Sequence, residues 1–406
     1  MNNWRKTTLG DVCEYESQKT SDLDINTYIS TENMLPNKGG VVLASNLPNK
    51  GTFTKYSNGQ TLVSNIRPYF KKIWRADKNG ACSNDVLCFK LKDKIIDSFF
   101  YYFLNQDTFF EFVMNGAKGT KMPRGDRKHI LQFEINLPPL DEQKRIADVL
   151  SALDDKIEIN NKINENLEAQ AQAIFKQWFV DFEFPDKEGK PYKSNGGKFI
   201  DSELGKIPEG WKVGTLGDVI ENTNTGLDAI RRAPIVEKET GLKCLRIQDL
   251  SQNKILDNWG NTKVEENDYK KFQLKRDDII MARTCSPGKF ILIREDLPSV
   301  FNNGLLRIKV NKMEMHPIIL SLIFKTNDFI GFIDGISGGT SVQLNMKMGD
   351  MLMYKLIIPP YETQNKAIEL LSAIDEIILK NQKEVITLVK TRDSLLPKLM
   401  NGEVRA

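Results

Sequence analysis

No stretch of these 406 residues stays apolar for the roughly 20 residues that a membrane-spanning helix requires. No apolar segment opens the chain either, so a cytoplasmic protein without a membrane partner is expected. Histidine is nearly missing: His129 and His316 are the two present. That excludes His-rich metal sites and leaves little material for a Ser-His-Asp triad. Each is expected as a surface or capping residue, His316 at a helix start before Pro317. The five cysteines (Cys13, Cys82, Cys88, Cys244, Cys285) never form a C-x-x-C pair, and are read as small, reduced core residues. There is no G-x-x-x-x-G-K-[ST] loop, which excludes a nucleotide-driven motor, and no glycine-rich fingerprint between a strand and a helix to seat a methyl donor. Pro185 to Lys190 contains the P-D and E-x-K elements of a nuclease metal site, but six linker residues cannot make carboxylates converge as packed strands do. No metal and no cofactor is therefore expected on this chain.

Charge is plentiful and unevenly spread. The chain carries 57 Lys+Arg against 54 Asp+Glu, a net +3. Residues 1–140 hold 19 against 14, a net +5, whereas residues 200–360 hold 22 against 21, a net +1. The positive excess sits near the start.

The chain begins twice. WRKTTLGDVCE at residues 4–14 returns as WKVGTLGDVIE at 211–221, an offset of 207. Leu137-Pro138-Pro139-Leu140 aligns with Ile358-Pro359-Pro360-Tyr361 at an offset of 221, so the copies differ by about fourteen residues of insertion. At that second offset Gln143 falls on Gln364, Leu150-Ser151 on Leu371-Ser372, Asp154 on Asp375 and Asn160 on Asn381. Such a run at one offset marks a duplication. Each copy mixes short β-like runs (86–91, 305–310) with Gly, Asn, Asp and Pro turns and an apolar helical segment, which reads as an α+β globule. The eight aromatics from Phe99 to Phe112 are assigned to the core rather than to a base-stacking platform, because Ile95, Phe99, Tyr102, Phe103 and Phe109 roughly follow a helical period.

After each double proline the pattern becomes a long helix, with Asp141 or Thr363 available as a cap. Ile146, Leu153, Asn160, Leu167 and Ile174 recur every seven residues, with Val149/Leu150, Ile157, Ile163, Ala171 and Trp178 in the neighbouring stripe. Ala367, Ile374, Asn381, Leu388 and Leu395 repeat the seam in the second copy. Each helix would span roughly 38 residues, about 57 Å at 1.5 Å per residue. Paired antiparallel, they would set Asn160 against Asn381 and so penalise a slipped register. The expected organisation is a first α/β domain at 1–140, a helix at 141–184, a polar linker at 185–206, a second domain at 207–360 and a second helix at 361–406. The fold class is α+β, with two duplicated α/β domains joined by two long antiparallel coiled-coil helices in pseudo-two-fold arrangement.

Two loops stand out as binding chemistry. AKGTKMPRGDRK (117–128) crowds Lys118, Lys121, Arg124, Arg127 and Lys128 around Thr120, with Asp126 as the sole carboxylate. A basic loop on a rigid scaffold suits phosphate neutralisation, and arginine can bind guanine through two hydrogen bonds. The second copy keeps Gly-Thr there and offers Thr340, Gln343 and Lys347 instead. A further pair of turns carries Arg67, Tyr69, Lys71 and Lys72 in one copy and Arg283 and Lys289 in the other. Pro359-Pro360-Tyr361 resembles the N-P-P-Y loop of adenine methyltransferases, but Ile358 stands where an amide or carboxylate must accept the target amino group.

The repeated TLGDV openings, the two Gly-Thr loops, and PPLDEQKRIADVLSALDDKIE with its partner PPYETQNKAIELLSAIDE resemble the specificity subunit of a type I restriction-modification system. The F-x-F-P segment and Lys206-Ile207-Pro208-Glu209-Gly210-Trp211 are similar to that family as well. The resemblance covers essentially the whole chain. It implies that each globule is a target recognition domain reading half of a bipartite double-stranded DNA sequence, with the helices as a ruler. It also implies no catalytic site on this chain: two modification subunits would bring S-adenosylmethionine and the adenine-binding loop, and restriction subunits nuclease and ATP- and Mg-dependent translocase activity. The alternatives are a self-contained adenine DNA methyltransferase using Pro359-Pro360-Tyr361 and a stand-alone DNA-binding regulator.

Overall fold

In the computed structural model, which describes residues 4–338 and 344–406, each TLGDV segment forms one helical turn closed by its own side chains. Thr8 donates its backbone N–H (2.9 Å) and its hydroxyl (2.7 Å) to Asp11 Oδ2. Thr215 does the same to Asp218 at 2.7 and 2.9 Å. A carboxylate three residues on that accepts the N-cap backbone N–H in this way satisfies a donor at the helix start and fixes the turn. The apolar residues of the turn, Leu9 and Val12 or Leu216 and Val219, are buried. The Leu9 N–H then donates to the Phe133 carbonyl (2.8 Å) and the Leu216 N–H to that of Tyr354 (2.7 Å). Strand Arg5–Thr8 pairs antiparallel with Glu134–Leu137, and Lys212–Thr215 with Lys355–Ile358. The two ends of each repeat are thus stitched together.

The Thr8 backbone N–H holds the Asp11 carboxyl at about 2, and that of Thr215 lowers the Asp218 carboxyl. A folded-state value below the unfolded one stabilises the fold above the ordinary carboxylate range, and that contribution is lost as pH falls through the folded value. The Asp11 turn should therefore loosen as pH falls from about 4 towards 2, and the Asp218 turn as pH falls below the ordinary carboxylate range. Hydrogen exchange at the Thr8 and Thr215 amides, corrected for intrinsic rate, reads this directly; unchanged protection over that range would contradict it.

The chain folds into two compact units, Met1–Asn161 with Gln382–Ala406, and Lys162–Asn381. The first contains an antiparallel sheet in the order Cys13–Tyr15, Val86–Leu91, Thr61–Ser64, Ile73–Arg75. The second repeats it as Ile220–Thr225, Leu305–Val310, Ile279–Ala282, Phe290–Leu292. A second sheet departs from strict repetition. In the first unit Phe53–Tyr56 pairs with Gly80–Cys82, which is flanked on its other side by a parallel Tyr28–Ile29. In the second, Gly260–Thr262 pairs with Lys243–Leu245, which is flanked by a parallel Ser299–Phe301. The centre of the sheet has changed hands between copies, within the stretch where their lengths also differ. The aromatic run lies on helices Asp97–Leu104 and Asp107–Asn115, and Phe99, Phe100, Phe109 and Phe110 are fully buried. Cys13, Cys82, Cys88 and Cys244 are buried, but Cys285, expected in a core, is exposed on a loop.

The long helices run over Leu140–Phe175 and Tyr361–Met400, the first closing in a π turn at Lys176–Val180. Each starts directly after its double proline, because the Pro139 and Pro360 carbonyls accept the first helical N–H groups. Asp141 and Thr363, expected as caps, therefore lie inside the first turn. Gln143 and Gln364 are buried and act as identical staples. Gln143 accepts the Ile96 N–H (3.0 Å) and donates to the Lys94 and Pro138 carbonyls. Gln364 accepts the His316 N–H (2.9 Å) and donates to those of Glu314 and Pro359.

Within each unit the start of one long helix and the end of the other pack on the same core. Ile146, Ala147 and Leu150 join Leu396, Leu399 and Met400 in the first unit; Phe175, Trp178 and Phe179 join Ala367 and Leu371 in the second. Antiparallel pairing follows inside each unit. The duplicated aspartates play different parts: Asp154 joins the two helices by accepting from Arg392, and also accepts from Tyr102 (both 2.7 Å), whereas Asp375 ties its helix to the domain by accepting from Arg294 (2.6 Å). Along the seam Ile146 and Asn160 are buried, while Leu153, Leu167, Ile174, Ile374, Asn381, Leu388 and Leu395 are half-buried. The expected Asn160–Asn381 bond is replaced by two others. Asn160 donates to Glu384 (3.0 Å) and Asn381 to Asn164 (2.9 Å). Asn164 takes the buried place expected for Ile163, which is 40% exposed. Each asparagine thus reaches a polar group one helical turn further along the opposite helix.

The segment expected as a polar linker is folded. Strand Phe199–Ser202 pairs with Gly205–Pro208, and Pro185 bridges Pro191. Phe184 stacks on Tyr192 (4.6 Å) and Trp211 (5.0 Å), and Phe199 meets Phe182 and Tyr192 edge-on. Polar composition masked a few aromatics spaced to meet after the chain turns back.

Candidate nucleic-acid interface

The two basic segments of the first unit become one structure. Strand Thr61–Ser64 delivers a turn whose Arg67 N–H donates to the Pro123 carbonyl (2.8 Å), while the Gly125 N–H donates to that of Asn65 (3.1 Å). Ile66 and Arg124 bridge between these bonds, and Arg124 exchanges both backbone hydrogen bonds with Lys118 at 2.9 Å. At the crossing point Arg67 takes the left-handed conformation (φ 48°), a strained choice for a side chain with a Cβ.

The second unit builds the same clamp from other residues. Strand Ile279–Ala282 delivers a turn whose Cys285 N–H donates to the Leu344 carbonyl (3.1 Å), while the Met346 N–H donates to that of Arg283 (2.9 Å). Thr284 bridges Asn345, and Cys285 is left-handed (φ 64°). Arg67 thus corresponds in backbone position to Cys285, and Arg283 to Asn65. The backbone is repeated, and the side chains on it are not.

Around the first clamp the cations are held at differing strength. Arg124 lies 3.2 Å from Asp85, and Lys118 2.7 Å from Asp126. Lys71 and Lys38 share Asp107, whose carboxyl is lowered chiefly by Lys38. Lys72 donates to the Thr31 carbonyl (2.6 Å), and burial lowers its ammonium from the usual lysine range. Arg127 and Lys128 are not loop residues: they open the short helix Arg127–Ile130, capped by Asp126, which accepts the Lys128 and His129 N–H groups. The Lys118 ammonium and these N–H groups hold the Asp126 carboxyl at about 2. The Arg127 guanidinium donates to the Asn84 carbonyl (3.1 Å) and lies over the Tyr15 ring. Thr120, Lys121 and Tyr69 are exposed.

In the second unit Lys347 is exposed, but Lys289 donates to the Ser251 carbonyl (2.6 Å) and Arg283 is half-buried. Thr340 and Gln343 lie outside the described residues. His316 caps helix Pro317–Ile323 as its sequence context suggests, and His129 stacks on Phe112 at 4.2 Å. Ile358 is buried in its strand and the Pro359 carbonyl is occupied by Gln364, so the methyltransferase-like tripeptide serves as a helix start.

Sequence reasoning passed over several neighbours of the clamps. Lys38 joins through its N–H to the Lys71 carbonyl (2.8 Å), a long-range contact without a local signature. Exposed Arg231 and Arg232 stand on the loop after Leu227, whose carbonyl accepts the Asn303 N–H (2.9 Å); the neighbouring Gly304 carbonyl accepts the N–H of Arg283 in the second clamp (3.1 Å). Adjacent arginines beside an Asp-capped turn were the available signal.

The chain is thus a duplicated α/β protein whose two repeats each carry a clamped, polar double loop. The family model described as type I restriction modification DNA specificity domain matches residues 1–169 and again 208–388. The chain belongs to this family and is a DNA sequence-specificity subunit. It is 30% identical over 326 residues to the type I restriction enzyme MjaIX specificity subunit of Methanocaldococcus jannaschii, covering 77% of this chain and 70% of that one. The HindI specificity subunit of Haemophilus influenzae is 24% identical, with each chain covered fully. The crystal structure of the type I restriction-modification S subunit from M. genitalium shares the fold, with a TM-score of 0.55 at 18% identity over 98% of this chain and 96% of that one. No helix among the described residues is long and apolar enough to cross a membrane.

Proposed function

We propose that this chain is the non-catalytic reading component of a cytoplasmic type I restriction-modification assembly, and that each α/β domain reads one half of a bipartite site in double-stranded DNA. The observation that carries this reading is the clamp built twice on one backbone with unlike side chains. A rigid backbone positions side chains on the duplex, and changing those side chains changes the bases read. Two modification subunits would supply S-adenosylmethionine and the adenine-binding loop, and restriction subunits ATP, Mg and nuclease activity. The long helices, 36 and 40 residues, would act as the ruler between half-sites.

Two measurements test this. Purified chain incubated with labelled methyl donor and DNA should transfer no methyl group until modification subunits are added; transfer by the chain alone would refute the assignment. Lengthening both long helices by one heptad should alter the spacer accepted between half-sites and leave the half-sites themselves unchanged. An unaltered spacer would rule out the ruler.

A further inference from the structure

The turn Pro68–Phe70 presents two large rings to solvent: Tyr69 is 47% and Phe70 37% exposed, with centroids 4.6 Å apart. The other aromatics of this domain's helices are largely buried, which makes an exposed pair an exception that asks for a use. The turn is also held stiffly. Both its flanks, Arg67 (φ 48°) and Lys71 (φ 51°), are left-handed. Backbone bonds hold them there: Arg67 N–H to Pro123 (2.8 Å), Lys71 N–H to Pro68 (2.9 Å), Asn37 N–H to Phe70 (2.7 Å) and Lys38 N–H to Lys71 (2.8 Å). Three separate chain segments therefore converge to keep two apolar rings outside the core.

The surroundings match a polyanion. Lys38 and Lys71 flank the turn at Asp107, and the Lys72 ammonium lies 5.7 Å from the Phe70 ring. Beside Pro123 in the partnering loop stand Lys121 and Met122, the latter 48% exposed. The corresponding turn of the second domain reads Cys285-Ser286-Pro287-Gly288 and carries no aromatic ring.

We propose that Tyr69 and Phe70 form a wedge that enters the duplex at one base step of the half-site read by the first domain, unstacking that step and bending the DNA, and that the second domain has no such wedge. Apolar side chains inserted between base pairs kink DNA in this way, while nearby cations neutralise the phosphates on either side. Stiffness matters because a yielding turn would fold its rings back rather than part a stack. This inference rests on the DNA-reading assignment above.

The test uses the assembly purified with its modification subunits, and a duplex carrying the bipartite sequence read from adenine methylation in the host genome. 2-Aminopurine is placed at successive positions of both half-sites, away from the methylated adenines, and dyes at the duplex ends report bending. The expected result is a fluorescence rise at one step in one half-site only, together with a bend. Tyr69→Ala/Phe70→Ala should lose both signals and bind about 10- to 100-fold more weakly, as the loss of base stacking predicts, whereas Tyr69→Phe should retain them. Binding without any such rise, or a rise and bend that survive the double substitution, overturns the wedge alone. Loss of the modification subunits on purification of the double variant, with the DNA signals intact, would make the turn a protein contact and overturn it too. If the unaltered assembly does not bind the duplex, the DNA-reading assignment itself fails.

Discussion

Replacing Lys121 and Arg124 by alanine should abolish or relax recognition of one half-site while the other is read as before. The Arg124 backbone is fixed by its paired bonds to Lys118 and its bridge to Ile66, so the side chain leaves from a defined point. Its side chain is 55% exposed, and that of Asp85, its ion-pair partner, is 37% exposed. An exposed pair of this kind contributes about 0–1 kcal/mol to stability, so alanine should leave the domain folded. Loss of a two-bond contact to guanine costs about 1–3 kcal/mol at one base position. Loss of a phosphate contact instead weakens all sequences alike and lowers the salt slope by about one. Titrating duplexes with either half-site scrambled, at several salt concentrations, separates these outcomes. Equal loss at both half-sites would refute the assignment of one domain to one half-site.

Arg307→Leu should unfold or loosen the second domain, with a larger free-energy change. Arg307 lies in strand Leu305–Val310 beside Ile279–Ala282, the strand that delivers the second clamp. Its side chain is 7% exposed and faces Asp278, 4% exposed, at 3.7 Å. It also donates to Asn224 Oδ1 (3.0 Å) and to the Lys271 (2.9 Å) and Gln273 (3.2 Å) carbonyls. Burial pushes the Asp278 carboxyl up despite the arginine beside it, so the pair is already costly to maintain. Removing the cation alone leaves a buried carboxylate and two unpaired carbonyls, which costs about 3–5 kcal/mol. The melting transition of this domain should fall by on the order of 10 °C. Asp278→Asn should cost less, because Arg307 keeps its other acceptors, and combining the two substitutions should recover part of the loss. Additive losses in the double variant would contradict coupling between the two groups. Because the damage is confined to the second domain, the half-site read by the first should survive it.

Much of this protein was legible in its residues. Thr8–Asp11 and Thr215–Asp218 are local capping boxes, Gln143 and Gln364 stand five residues after the first proline of each pair, and the heptads advertise a helix pairing. Duplication made each signal readable twice. Other expectations failed where distant chain segments decide the outcome. The segment 185–206 reads as polar until Phe184, Tyr192, Phe199 and Trp211 are brought together. Asn160 and Asn381, expected to face each other, bond instead to Glu384 and Asn164, because a heptad pattern gives the stripe on each helix but not which residue of the opposite helix lies level with it.

The sequence by itself determined that the chain is duplicated, where each copy opens, and that a long helix follows each double proline, since these depend on local propensity and on comparing the chain with itself. Only the tertiary structure joined residues 64–72 to 117–125 and 282–289 to 344–347, put Arg67 and Cys285 at equivalent left-handed crossings, and exchanged the central strand of the second sheet. Those features are made by backbone hydrogen bonds between remote segments, and a backbone N–H carries no residue-specific mark by which a sequence could announce its partner.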